Sequence, residues 1–442
     1  TIIMISRDRA PSAQETFMQM AQAAGLRGRL FVTIGILLLI RLGIYIPIPG
    51  IDREAFSASL AQGNGIGGFL DILSGGGLSA LGVFALGILP FINASIIIQL
   101  LTAAIPSLDK LQKDEGEAGR RKISQITRYV ALGWAVLQSV FFSAVWLKNF
   151  AINFGPIFVF ETALALVAGS MFVMWASEVI TERGIGNGAS LLIFLNIVSS
   201  LPTTLGNTIQ LAQTGSRETV GQVVVLLLLF LATIVGIVFV QEGMRRIPII
   251  SARRQVGRRV LAEQRSFLPL RLNQGGVMPI IFATAILSLP SLIGNFTRDQ
   301  YPQIASFANT YLSPAGNQWW AYALVYLFSI VFFSYFYSSL IVNPVDIAQN
   351  LKKMGSSIPG IRPGKATSEY LERTINRLTF LGAGFLGLVA IVPTVVERAL
   401  DTGVFRGFGA TSLLILVGVA IDTAKQVQTY VISQRYEGMV KQ

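Results

Sequence analysis

The sequence contains no cysteine and no histidine, and each absence excludes a class of chemistry. Without cysteine, the chain can form no disulfide and offers no thiol nucleophile. Without histidine as well, it cannot build a zinc site on Cys or His ligands, a Ser-His-Asp triad or a Cys-His dyad. The composition therefore argues against most enzyme classes, and it indicates no metal and no cofactor.

Charge is also scarce, because charged residues make up 13% of the 442 residues whereas hydrophobic residues make up 52%. A typical soluble domain is about 25% charged. Disordered chains, in turn, are poor in apolar residues. The low content of charged residues together with the high content of hydrophobic residues is typical of an integral membrane protein.

Ten apolar segments approach the roughly 20 residues that a membrane-spanning helix needs. They are residues 30–46, 78–105, 129–147, 157–180, a segment from Ala189 that is purely apolar only before Pro202, 223–240, 275–293, 320–342, 378–396 and a segment from about Phe408. We therefore predict an all-α polytopic membrane protein with about ten transmembrane helices.

The basic residues are distributed unevenly between the two sides of this topology. With the N-terminus inside, 27 of the 35 Lys and Arg residues fall in cytoplasmic segments and six in outer loops. Basic residues are enriched in cytoplasmic loops of membrane proteins. The net charge of +12 is thus largely topological, and both termini are predicted to be cytoplasmic.

Each set of five spans has a long connection after its first helix, at residues 47–77 outside and 241–274 inside. Matching features on opposite faces are typical of inverted repeats. We expect an N-terminal half at 30–213 and a C-terminal half at 214–431, the latter with cytoplasmic loops 241–274 and 343–377. A cytoplasmic amphipathic segment is expected at 1–29 and a cytoplasmic tail at 432–442.

One stretch of the first connection, residues 66–77, is apolar but too short to span, and Asp71 and a glycine triplet interrupt it. Lipid cannot satisfy irregular backbone, so this stretch must pack inside protein or line a wet cavity. It is either an ordinary helix of an outer loop or a re-entrant element that caps a pathway.

Two cytoplasmic loops carry concentrated positive charge. One has Arg253, Arg254, Arg258 and Arg259, and the other has Arg362 between turn-forming residues. The charge serves either orientation and contact with anionic lipid or the docking of an acidic partner or of ribosomal RNA phosphates. The residues alone leave both interpretations open.

Few charges lie within the predicted spans, and no span carries a mid-membrane carboxylate relay. Intramembrane carboxylates typically mark ion or proton pathways. Their scarcity counts against an ion-coupled secondary transporter with inverted repeats, which is the alternative function, and against an intramembrane enzyme. Arg41, near the outer end of the first span, is expected to reach the interface or to pair with an acidic side chain.

Six motifs, which occur in order along nearly the whole chain, resemble the SecY family of protein-conducting channels of bacteria and plastids. They are RLGIYIPIPG at 41–50, ALGILPFINASIIIQLL at 85–101, ITERGIGNG at 180–188, RRQVGRR at 253–259, GVMPIIFA at 276–283 and PGIRPG at 359–364.

The resemblance implies two inverted five-helix halves around a central pore, and it assigns four functional regions. The pore ring falls on Ile88, Ile92, Ala189, Ile193, Ile281 and Ile415, where the family usually has a bulkier residue than Ala189. The plug, at about 64–77, is centred on Gly67, Gly68, Phe69, Leu70, Asp71, Ile72, Leu73 and Ser74. The lateral gate includes Asn93, Gln99 and Pro279, and the docking site for a motor or ribosome includes Arg253, Arg254, Arg258, Arg259 and Arg362.

The resemblance also implies a function that is not enzymatic. A passive pore would pass unfolded preproteins across the membrane and release transmembrane helices sideways into lipid. The implied partners are the small membrane subunits SecE and SecG, the SecA motor ATPase, the ribosome, signal peptides and preproteins, and membrane lipid. The implied location is the bacterial inner membrane or the thylakoid.

Overall fold

The computed structural model describes residues 24–62, 74–113, 116–214, 217–251, 255–256, 259–260, 265–296, 302–312, 318–399 and 410–440. Helices dominate this part of the chain. They are α1 Ala24–Gly43, α2 Arg53–Gln62, α3 Leu89–Ala104, α4 Pro106–Lys113, α5 Gly116–Phe141, α6 Pro156–Arg183, α7 Gly188–Thr214, α8 Arg217–Glu242, α9 Met278–Phe296, α10 Pro302–Tyr311, α11 Trp319–Ile341, α12 Pro344–Lys353, α13 Lys365–Ala399 and α14 Ala410–Val440.

The predicted all-helical membrane fold is confirmed, since a helix lies at each of the ten predicted spans: α1, α3, α5 to α9, α11, α13 and α14. Among the described residues, six helices are long and apolar enough to cross a membrane, and Leu89–Thr102 is a shorter apolar helix. The four remaining helices, α2, α4, α10 and α12, have ten residues or fewer and connect the spans.

The second predicted span starts as a helix eleven residues later than its apolar run, at Leu89 rather than at residue 78. Within the stretch before Leu89, Leu81 and Gly87 have positive φ, which gives it turns that an α-helix does not accommodate. Pro90, in the first turn of α3, favours a helix start because its missing N–H is not needed there. Hydropathy alone does not report these backbone constraints.

The fifth span continues as a helix beyond Pro202, where the purely apolar run ends. The ninth is also longer than its apolar run, because α13 begins at Lys365 and carries polar residues before the membrane segment.

Two small sheets, which the sequence did not reveal, are built mainly from the connection after α8, with β5 contributed by the residues between α12 and α13. Strand β1 (Met244–Ser251) pairs antiparallel with β4 (Arg265–Arg271) and also with β5 (Ser356–Ser357), while β2 (Gln255–Val256) pairs with β3 (Arg259–Val260). Along β1, Ile247 and Ile249 are buried and the residues between and before them are exposed. This alternation is typical of a half-buried strand.

The chain divides into two compact units. Unit 1 comprises residues Thr1–Gly63, Leu70–Leu201 and Val419–Gln442, and unit 2 comprises Asn64–Phe69 and Pro202–Gly418. Within unit 1, one apolar cluster joins the connection after α1, α2, the turns before α3, the connection between α5 and α6, and α6 itself. Its buried members include Ile48, Phe56, Leu81, Leu147 and Leu166.

A second cluster of unit 1 lies at the other end of α1, where Leu26 packs with Ile185, Val427 and Val431. The Arg29 guanidinium lies 5.0 Å from the ring centroid of Tyr430. The backbone N–H of Ile185 donates to Thr33 Oγ1 at 3.0 Å. These contacts fix the turn between α6 and α7 against α1 and α14.

Unit 2 has a core beneath its sheet, where β1 and β4 cover the first turns of α13. Ile247, Leu270, Leu371 and Ile375 are the centre of this cluster, and each is at most 4% exposed. The membrane segments of unit 2 associate through polar and aromatic contacts, for example Thr379 Oγ1 of α13, which donates to Ser338 Oγ of α11 at 3.0 Å.

Candidate functional site

Four of the six predicted ring residues belong to unit 1. Ile88 is the N-cap of α3 and is 1% exposed. Ile92 follows one turn later, with its N–H donating to the Ile88 carbonyl at 3.1 Å, and is half-buried. Ala189 and Ile193 lie in the first two turns of α7, where Ile193 is buried and Ala189 is half-buried.

The start of α7 is held by Asn187, whose side-chain Oδ1 accepts from the backbone N–H of Ala189 at 3.0 Å and of Ser190 at 3.4 Å. An Asn at this position satisfies donors that have no partner within the helix. Thr181 Oγ1 accepts from the Gly188 N–H at 2.9 Å, which ties the same turn to the end of α6. The backbone that carries Ala189 and Ile193 is therefore rigidly placed within unit 1.

The other two ring residues belong to unit 2. Ile281 lies in the first turn of α9 and is half-buried, and Ile415 of α14 is 2% exposed. All six positions carry side chains without a polar atom. Such a set can contact a chain or each other only through dispersion and the exclusion of water.

The predicted plug falls mostly outside the described residues, because Gly67–Leu73 lie in the gap at 63–73. Ser74 is described: it is 2% exposed, and its Oγ accepts from the Leu78 N–H at 3.0 Å. It opens a turn at Gly75 and Gly76, both with positive φ.

The predicted lateral-gate residues lie on α3 and α9. Asn93 and Gln99 are half-buried on α3, and Gln99 Oε1 is buried without a hydrogen-bond partner. Pro279, the second residue of α9, is buried. The structure thus places Asn93 and Gln99 in unit 1 and Pro279 in unit 2.

Of the predicted docking arginines, Arg253, Arg254 and Arg258 lie outside the described residues, and Arg259 begins strand β3. Arg362 is exposed on the turn before α13. Its carbonyl accepts from Thr367 Oγ1 at 2.9 Å, and the Ile361 N–H donates to the Ile358 carbonyl at 3.1 Å. This turn is anchored because Ile358 lies in the core beneath the sheet of unit 2.

The described part of unit 2 carries further exposed basic side chains, which together with Arg362 we call the basic platform. They are Arg245, Arg246, Arg271, Lys352, Lys353, Lys365, Arg373 and Arg377. The sheet brings three of them together, because in the antiparallel pairing of β1 with β4 Met244 lies opposite Arg271 and Arg245 opposite Leu270, which places Arg245 and Arg246 near Arg271. Only the antiparallel register, which periodicity along one segment does not specify, could have revealed this grouping.

No group of three or more Asp, Glu, His or Cys residues that could hold a metal occurs among the described residues. The site consists of aliphatic positions, a glycine turn and a basic platform, and comparison with known proteins gives it a class. A solved structure described as "The structure of a protein conducting channel" has a TM-score of 0.63 at 18% identity, over 96% of this chain and 94% of that chain. The fold is therefore that of a protein-conducting channel.

A second solved structure, Sec61 in a canine ribosome–channel complex, has a TM-score of 0.60 at 17% identity, over 96% of this chain and 94% of that chain. The SecY family model matches residues 82–424. The protein translocase subunit SecY of Synechococcus elongatus is 71% identical, over 99% of this chain and 100% of that protein. The chain belongs to the SecY family, whose members are channel-forming subunits of the protein translocase and not enzymes.

Proposed function

We propose that this channel seals and opens through its ring of aliphatic residues, and that a docked partner supplies the energy for transport. The channel would pass unfolded preproteins across the membrane and release hydrophobic helices sideways into lipid. The observation that carries this proposal is the side-chain chemistry of the six ring positions, which have no polar atom in either unit. An alternative, the ion-coupled transport of a small solute, lacks any mid-membrane carboxylate relay in the sequence.

A ring of this kind has two properties that a protein channel needs. Branched apolar side chains offer no ligand to an ion, and a narrow apolar constriction blocks ions by excluding water. The same side chains make only nonspecific dispersion contacts with a passing peptide, so they do not select its sequence. Ala189, which is smaller than the family's usual residue, leaves the ring less tightly filled at that position.

The plug and the lateral gate complete the pathway. The plug, centred on 67–74, would occupy the outer side of the ring in the resting channel. The gate would open between α3 and α9, so that a signal helix could reach lipid past Asn93 and Gln99. Their polar side chains favour water-exposed or protein-lined positions over lipid, which suits a seam that is closed at rest. A bound signal peptide would bias this two-state element toward its open form.

The basic platform, which includes Arg362, supports docking of the energy source. Its positive charge would attract an acidic surface on a motor, which we propose to be SecA, or the phosphates of ribosomal RNA. The structural neighbour Sec61 occurs in a ribosome–channel complex, which makes the ribosome a reasonable partner for this chain as well. Because Ile358 is buried in the core beneath the sheet, the turn that carries Arg362 offers a docking partner a fixed contact point.

We also propose SecE and SecG as membrane subunits around this chain. Both termini and the platform would lie in the cytoplasm, as the uneven distribution of basic residues supports. The cyanobacterial relative supports a plasma or thylakoid membrane.

Reconstitution into proteoliposomes tests the proposed function. With SecE, SecG, SecA and ATP present, a preprotein carrying a signal peptide should become resistant to external protease, and a preprotein without the signal peptide should stay sensitive. Failure of protection, together with ion-driven uptake of a small solute by the same vesicles, would favour the transporter alternative.

A further inference from the structure

Arg41 is a cation within the first membrane span, and its contacts are unusual for such a residue. It lies in the last turn of α1 and is half-buried. Charged residues in spans are costly and must find polar partners. Arg41 Nη1 donates to the carbonyl oxygen of Gly75, and its guanidinium carbon lies 5.8 Å from the ring centroid of Tyr45. The sequence led us to expect the interface or an acidic side chain as the partner of Arg41. In the structure its guanidinium instead donates to the backbone of a turn that is distant along the chain.

The turn that Arg41 contacts is sterically defined. Gly75 and Gly76 have φ values of +70° and +82°, which side-chain-bearing residues rarely adopt. A Cβ atom on Gly75 would lie 2.5 Å from Oδ1 of Asn196 on α7, so the turn fits closely against that helix. On Gly76, the nearest neighbour of a Cβ would be Ser79 Oγ at 3.9 Å, which is ordinary contact. The turn is therefore enclosed by α1 on one side and α7 on another.

The chain beyond the turn is fixed to the residues that follow α1 and to α6. The N–H of Val83 donates to the Ile46 carbonyl at 2.9 Å, just after α1. Ser170 Oγ of α6 donates to the Gly87 carbonyl at 3.0 Å. A Cβ on Gly82 would overlap the Ile44 carbonyl. The stretch from Ser74 to Gly87 thus forms a rigid base, and the contact from Arg41 is made at its first turn.

We propose that Arg41 is a positioning residue for the plug, and that it holds the Gly75 turn against α7 so that the carboxyl end of the plug has a fixed attachment point. This inference rests on the proposed function, because it takes the segment before Ser74 as the plug. Asn196, which meets the turn, lies three residues after the ring residue Ile193 on the same side of α7. A movement of α7 that widens the ring also moves Asn196 relative to Gly75, so the turn responds to opening of the ring.

Spin labelling tests the hold on the turn directly. The chain has no cysteine, so a single Ala80→Cys substitution gives one labelling site. Ala80 lines an open cavity of about 200 Å³ with Tyr45 and Ser79, which leaves room for the label. In the reconstituted complex, Arg41→Met should increase label mobility, whereas Arg41→Lys, which keeps a charged donor, should not. Equal mobility in the Met and wild-type channels would overturn the proposal.

Resting ion conductance in planar bilayers tests the consequence for the channel. Arg41→Met should raise it about tenfold, the scale expected from loss of one charged hydrogen bond, and Arg41→Lys should restore most of the seal. Gly75→Ala and Gly76→Ala form a matched pair, because both strain a left-handed residue but only the first clashes with Asn196. Gly75→Ala should therefore leak more than Gly76→Ala, and equal conductance of the pair would contradict the role of α7.

Deletion of residues 67–73 separates this proposal from the function on which it rests. If the deletion raises the resting conductance and Arg41→Met does not, the plug assignment holds and the role of Arg41 is wrong. If the deletion leaves the conductance unchanged, the plug assignment itself is wrong, and the role of Arg41 in sealing falls with it.

Discussion

The ring isoleucines show what single residues can and cannot reveal in this chain. Ile88, Ile193 and Ile415 are each at most 5% exposed, a burial that ordinary packing would also give. Composition and periodicity cannot distinguish them from other isoleucines in apolar spans. Their assignment depended on the order of family motifs, and it stays a prediction.

Arg41 is the opposite case, because the sequence alone shows where it lies in the first span. Its partner Gly75 is 34 residues away along the chain, and only the folded chain brings the two together.

Arg362 carries the prediction for docking. Charge reversal by Arg362→Glu should lower SecA-driven export at least about tenfold, because a repulsive contact replaces an attractive one on an exposed, anchored turn. Export of a preprotein into inverted membrane vesicles measures it. Arg121→Glu is the control, since Arg121 is also exposed but lies on α5 beside Glu117. Unchanged export in Arg362→Glu would remove Arg362 from the docking surface.

At the scale of elements, the spans were predictable and the sheet was not. A membrane helix satisfies its backbone within one apolar segment, so hydropathy and length suffice to locate it. Strands β1 and β4 each need a partner that is distant along the chain, as in the pairings of Met244 with Arg271 and of Ile250 with Arg265. The turns before α3 likewise depend on contacts with neighbouring helices. For this reason α3, the second predicted span, begins later than its apolar run.

The core beneath the sheet should contribute strongly to the stability of unit 2. Leu371 of α13 is 0% exposed, and Leu371→Ala should destabilise the protein by about 2–5 kcal/mol through the cavity it leaves. Leu381→Ala, on the same helix at 61% exposure, should cost much less. Thermal unfolding of the two variants in detergent compares them directly. Equal losses would mean that β1 and β4 do not pack on α13 as described.

The backbone at Val83 lies close to Gly169 of α6, and this contact gives a second test at the scale of elements. A Cβ on Gly169 would overlap the Val83 carbonyl, whereas a Cβ on Gly133 of α5 would meet nothing within 4 Å. Gly169→Ala should therefore lower thermal stability and displace the turns before α3. Gly133→Ala should be neutral or stabilising by about 0.5–1 kcal/mol, because alanine favours the helix. A tolerated Gly169→Ala would contradict the contact between α6 and Val83.

For the whole molecule, the composition and the fold give a consistent account. A chain without cysteine or histidine has few means of catalysis, and its family forms a channel. The two compact units meet in sequence at Leu201 and Pro202, and the end of α14 groups with unit 1. The predicted halves, 30–213 and 214–431, follow the span count instead, and their inverted relation stays a prediction. In the proposed mechanism the channel contributes a seal and a gate, while the docked partner contributes the work.

The ion conductance of the resting channel in planar bilayers tests this account most directly. Asn substitutions at Ile88, Ile92 and Ile281, singly and together, should raise it, because polar side chains allow water into the constriction. Leu substitutions at the same positions and Ile34→Asn, at an exposed position of α1, should leave it near the wild-type level. A folded, export-competent channel with all three Asn substitutions and no increase in conductance would contradict the aliphatic seal.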